Sequence, residues 1–132
     1  MRVDEMKAGR ELDVLVAKAM GARIVDCWGG PPVFGVPVFC LLDERVRPIS
    51  YYSTDVAAIL PAAEQVVGTG HIKIKLLPAD KDHKQCLATV RLWLGRANDV
   101  HTLAEGATGE QAIALALARA VVKAKGVEEA AT

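Results

Sequence analysis

Three stretches of this chain repeat their apolar residues every three to four positions, and two repeat them every second position. Leu12, Leu15, Val16, Ala19 and Met20 predict a helix over residues 5–20, stopped by Gly21. Val56, Ile59, Leu60, Ala63, Val66 and Val67 predict a second helix over 53–67, closed by the glycines at 68 and 70. Pro61 either kinks that helix or begins a separate segment. Ile113, Leu117, Ala120 and Val121 predict a third, and Thr108-Gly109-Glu110-Gln111 at its start fits a capping box. Between the second and third helices, Ile72, Ile74 and Leu76 alternate with Lys73 and Lys75. Cys86, Ala88, Val90 and Leu92 alternate with Leu87, Thr89, Arg91 and Trp93. Two such strands joined by a short polar turn are expected to pair as an antiparallel hairpin.

The remaining segments are less periodic. Residues 22–28 predict a short strand ended by Gly29-Gly30-Pro31-Pro32. Residues 33–42 are apolar and extended, with Pro37 restricting them to an edge or broken strand. Residues 43–48 look like a charged connection and 95–107 like a long polar loop. The expected architecture is an α/β (α+β) sandwich: about four antiparallel or mixed strands, with helices on both faces. It forms one domain over 1–132, with 127–132 a frayed tail.

Composition narrows the class. At 132 residues and 52% hydrophobic content the chain can bury a core, built largely of alanine and aliphatic residues because aromatics are only 5%. Sixteen basic and sixteen acidic residues cancel, which argues against a general nucleic-acid binder. Cys27, Cys40 and Cys86 are odd in number, lack CxxC spacing and lie in apolar surroundings, as expected of free thiols in a reducing compartment. The charged start of the chain has no apolar run like that of a signal peptide. No segment approaches the ~20 apolar residues of a membrane span, so a cytoplasmic protein of a bacterial host is expected.

Three segments resemble the phage ABA sandwich domain family. They are the helix 6–21, the step Tyr52-Ser53-Thr54-Asp55-Val56-Ala57-Ala58, and the closing helix that begins Ala107-Thr108-Gly109-Glu110-Gln111-Ala112-Ile113. Small phage proteins of the NinX type have a similar layout. The resemblance implies a helix–sheet–helix sandwich of phage or prophage origin, and it carries over no catalytic residue.

Candidate chemistry is sparse. Ser53, Thr54 and Asp55 can contact an anion or a ligand hydroxyl at a helix N-terminus, although capping alone accounts for these residue types. Tyr51 and Tyr52 beside them can stack on a ring or simply pack. Lys73, Lys75 and Arg91 can form a phosphate-binding stripe with Trp93 or Trp28 for stacking, or an ordinary solvated sheet face. His83 and Cys86 lack the partners a zinc site needs, so no metal and no cofactor are expected. Cys86 alternates with the core-facing residues, away from a base, and no glycine-rich phosphate loop is present.

The chain is therefore expected to be a non-enzymatic, phage-type accessory protein. It would sequester a nucleotide-type signalling molecule of bacterial anti-phage defence at the interface of a homo-oligomer. The alternative is a protein–protein interaction module that inhibits or adapts a host protein through Trp28, Phe34, Val36, Val38 and Phe39. A small hydrolase or nuclease finds no support in residue spacing.

Overall fold

A computed structural model describes residues 5–21, 23–25, 39–42, 45–48, 51–82, 84–95 and 98–125. The described elements run α1 (Arg10–Ala19), β1 (Arg23–Val25), β2 (Phe39–Leu42), β3 (Arg45–Pro48), α2 (Val56–Val67), β4 (His71–Leu77), β5 (Cys86–Gly95), β6 (Asn98–Gly106) and α3 (Gly109–Ala124). The class is α+β. Both sheets are three-stranded and antiparallel, ordered β1-β2-β3 and β4-β5-β6.

The three expected helices and the β4–β5 hairpin form where periodicity places them. Pro61 lies inside α2 without splitting it. A proline cannot donate to the carbonyl four residues back. Both Pro61 and Ala57 are exposed, so water can reach the carbonyl that loses its partner. Asp55 caps α2 by accepting the Ala57 N–H at 3.0 Å, and Thr108 caps α3 by accepting the Gln111 N–H at 3.2 Å.

Two expectations are corrected. The charged connection at 43–48 contains β3, whose Arg45 and Arg47 pair in register with Leu42 and Cys40 of β2. The polar loop at 95–107 contains β6, a full partner of β5. The helix-facing positions of β6 are Val100, Thr102, Ala104 and Gly106, too small and too polar to read as an apolar alternation. The strand is held through its backbone ladder, and the buried Thr102 hydroxyl donates to the Ala116 carbonyl of α3 at 2.7 Å. Of residues 33–42, only the β2 backbone is described; Trp28, Phe34, Val36 and Val38 lie outside the described residues.

The core sits between the β4–β6 sheet and the helices. On β5, Cys86, Ala88, Val90 and Leu92 are buried beneath α3 and α2. From Ala114 through Val122 every residue of α3 is buried, because the helix lies on the sheet with α1 and α2 packed around it. A helix enclosed this way must be apolar nearly all round. Its alanines let it approach its neighbours closely. The one charge in that run, Arg119, is buried and donates to backbone carbonyls. Its Nε and Nη2 bond to the Met6 carbonyl at 3.0 and 2.6 Å, and its Nη1 bonds to the Leu103 carbonyl at 2.9 Å. This ties the segment before α1 to β6 through α3.

Among the described residues the helices gather on one face of the β4–β6 sheet, not on both. Lys73, Arg91, His101 and Leu103 on the opposite face are exposed. Among the described residues, that face of the sheet carries no helix.

Candidate functional site

Alternation places every second residue of β4, β5 and β6 on the uncovered face, and the strand register arranges them in four rows. His71, Trp93 and Asp99 form the first row; Lys73, Arg91 and His101 the second; Lys75, Thr89 and Leu103 the third; Leu77, Leu87 and Glu105 the last. Opposed side chains in such rows stand roughly 4.5–5.5 Å apart at Cβ, close enough to interact directly. The face has two ends: one basic and aromatic, the other rich in leucine.

At the first end, a connected cluster surrounds Trp93. The Arg91 guanidinium carbon lies 4.6 Å from the centre of the Trp93 ring, a cation–π arrangement. Asp99 holds it there, with one carboxylate oxygen 2.7 Å from Arg91 Nε and 2.5 Å from Nη2. His71 meets Trp93 edge-on, the ring centres 5.4 Å apart and the planes 72° to each other. Lys73, directly across from Arg91, would be repelled by it in isolation. Asp99 offsets that repulsion by sharing the guanidinium charge. A register shift between Trp93 and Gly95 adds local twist where β5 leaves this cluster.

Gly70 fixes the entrance to β4. A Cβ at this position would run into the Trp93 carbonyl and lie 3.2 Å from the Val67 carbonyl. Only glycine allows the α2–β4 turn to pass so close to the backbone of Trp93. Gly68, two residues earlier, takes a positive φ of 58°, which glycine adopts without strain.

At the other end, Leu77 is 51% exposed and Leu103 is 55% exposed. Beside them a hollow of about 540 Å³ opens at the hairpin turn, lined by Leu77, Pro78, Asp80, Asp82, Lys84, Gln85, Leu87 and Glu105. The three carboxylates around it, against the single Lys84, disfavour anions there.

The other sequence candidates have different work. Ser53 is fully buried: its N–H and its hydroxyl donate to Asp13 Oδ1 at 2.8 and 2.7 Å, and its Oγ accepts the Gly9 N–H at 2.9 Å. It joins the start of α1 to the approach to α2. Asp55 places its own carboxylate at the α2 N-terminus, where a bound anion would otherwise sit. The Thr54 hydroxyl turns back to the Tyr51 carbonyl at 3.4 Å. Tyr52 packs against the core, and Tyr51 is 62% exposed. These five residues belong to the helical layer. Lys73, Lys75, Arg91 and Trp93 occupy the far face of the sheet, so the nine candidates divide into two groups rather than forming one site.

His71, Asp99, His101 and Glu105 are members of the open face that periodicity of apolar residues did not single out. The one available signal was the polar phase of the 98–106 segment, in which Asp99, His101 and Glu105 fall two and four residues apart. Cys86 is a free thiol buried under the helices, whereas His71 and His101 lie on the other side of the sheet. Among the described residues no cluster of three His, Cys, Asp or Glu side chains is placed to hold a metal ion, and no helix is long and apolar enough to cross a membrane.

These features define a small α+β protein with an open, basic-aromatic sheet face. No protein-family model matches the chain, and neither a curated protein nor a solved structure shows significant similarity to it.

Proposed function

We propose that the protein is a non-catalytic binding protein whose ligand, a nucleotide-type anion, lies on the Trp93 end of the open sheet face. The observation that carries this reading is the juxtaposition of Lys73, Lys75, Arg91 and Trp93 on one uncovered face. Ammonium groups on alternate residues of β4 supply phosphate contacts. The Arg91–Trp93 pair, with Arg91 already held over the ring by Asp99, supplies a surface for a base with less entropy cost of ordering on binding. Tyr51 to Asp55, in the helical layer, take no part. The phage-type accessory role, with capture of a signalling nucleotide of bacterial defence in the host cytoplasm, draws its support from the resemblance of the three segments to phage ABA sandwich proteins.

Calorimetric titration with a panel of linear and cyclic nucleotides tests the reading. One or more should bind, and Lys73→Ala/Arg91→Ala should weaken that binding roughly tenfold or more, since charge-assisted hydrogen bonds contribute about 1.5–3 kcal/mol each. Full affinity in a folded double variant would refute the assignment. The exposed Leu77 and Leu103 favour a second reading, a module that docks on a protein through the leucine end.

A further inference from the structure

We propose that the free edge of β4 is a docking site for an extended peptide segment of alternating apolar and acidic residues, which joins the sheet as a fourth strand. Binding there does not require the nucleotide-type ligand.

β4 and β6 are the two edges of their sheet, and they are finished differently. On β6 the helix-side residues Thr102 and Ala104 are buried, because α3 packs chiefly on β5 and β6. On β4 the helix-side residues Ile74 and Leu76 are exposed, where α3 makes little contact. Their cross-strand partners Val90 and Ala88 are fully buried. The apolar layer thus continues past the end of its helical cover. Among the described residues β5 is the one strand paired with β4, so the outer row of β4 N–H and C=O groups has no ladder. Such a row is a template for an added strand, whose backbone supplies affinity while its side chains supply selectivity.

The side chains of β4 decide what kind of strand fits. Lys73 and Lys75 stand on this edge with Arg91 and Thr89 as their cross-strand neighbours on β5. Among the described residues neither lysine has a carboxylate partner, and Asp99 is engaged by Arg91. Acidic residues of an added strand lie directly across from the two lysines, and apolar residues across from Ile72, Ile74 and Leu76. Opposite Ile72–Leu76 the segment therefore reads apolar, acidic, apolar, acidic, apolar. That order is the same from either end, so it fits β4 in either direction.

A second copy of β4 fails this requirement. Antiparallel pairing of β4 with itself about Ile74 sets Lys73 against Lys75, and the next in-phase register sets a lysine against itself. Edge lysines block self-pairing in this way. They leave unexplained the exposed Ile74 and Leu76 beside them, whereas an acidic strand engages both kinds of side chain.

NMR titration of the isotope-labelled full chain with a short, end-blocked synthetic peptide of alternating valine and glutamate tests the site. The expected result is saturable shifts concentrated at the β4 amides, with slowed hydrogen exchange along its free edge. A peptide of the same composition, with its valines and glutamates in separate blocks, should bind roughly tenfold more weakly or not at all. Lys73→Glu/Lys75→Glu should weaken the alternating peptide roughly tenfold or more, with the circular dichroism spectrum unchanged. A valine–lysine peptide should then bind that variant. The proposal is overturned if the alternating peptide leaves β4 unshifted up to about millimolar concentration. Equal binding of the block peptide, or equal binding to the charge-reversed variant, overturns it too, since either would report attraction without strand pairing.

Discussion

The two faces of the β4–β6 sheet are built from the same three strands, yet they obey different rules. Toward the helices, Ala88, Val90 and Leu92 are completely buried, and the polar Thr102 among them is satisfied by a carbonyl of α3. Toward the outside, lysine, arginine, tryptophan, histidine, leucine and carboxylates mix in adjacent rows. On β5 and β6 the first face is specified by volume, and changes at Ala88, Val90 or Leu92 are felt in the core, whereas Ile74 and Leu76 of β4 in the same phase are 38% and 39% exposed. On the second, stability depends little on any single side chain, and residue choice is left free for binding.

The contrast predicts a steep gradient of mutational cost. Leu92→Ala should lower the unfolding free energy by about 2–5 kcal/mol in urea titration, and Leu103→Ala by less than about 0.5 kcal/mol, although both are leucines on neighbouring strands. Equal costs would mean that the outer face is covered in the free chain.

Next in size is Gly70→Ala, expected to cost about 1–3 kcal/mol because the new methyl meets the Trp93 carbonyl. It sharpens the comparison because the cost arises in backbone while the consequence falls on the open face. Near-ultraviolet circular dichroism from Trp93 should change with it. Ser53→Ala should cost a similar about 1–3 kcal/mol by removing a hydroxyl donor from the buried Asp13 carboxylate, measured by thermal unfolding. Nucleotide affinity should remain as in the parent protein, since Ser53 lies in the helical layer. Loss of binding with the fold intact would rejoin the two groups of candidates.

The smallest effect is expected at Asp99. A double-mutant cycle between Asp99→Asn and Arg91→Gln should give a coupling under about 1 kcal/mol, weakening as salt is raised, because both side chains are at least a third exposed. Its importance lies in pre-organisation. Asp99→Asn should alter Trp93 fluorescence, whose ring carries the Arg91 guanidinium, more than it alters stability.

Much of the fold was legible before the structure because the apolar periods were strong. The alternation of Ile72, Ile74 and Leu76 with lysines, set against that of residues 86–93, allowed Lys73, Lys75 and Arg91 to share one face of a hairpin, depending on register; the register of the structure pairs Lys73 with Arg91. The two strands that were missed, β3 and β6, carry arginine, threonine, asparagine and small residues. β3 is only four residues long and the inward positions of β6 are small or polar, so neither offers a sustained row of large apolar residues for periodicity to find. The candidate site was half legible for the same reason. Residue type singled out Ser53 as a capping or binding hydroxyl, but its partner Asp13 is forty positions away on another helix.

By itself the sequence determined what local chemistry can specify. It set three helices, a cap at Thr108 and another among Ser53, Thr54 and Asp55, one hairpin, and two lysines phased to the same side of a strand. Local periodicity suffices for these because each depends on neighbours within a turn or a strand pair. Tertiary structure alone decided that the helices gather on one face, that Ser53 is buried, and that Asp99 folds back to lay Arg91 on Trp93. Those outcomes depend on which distant surfaces meet, and burial is a property of the assembled layers rather than of any segment.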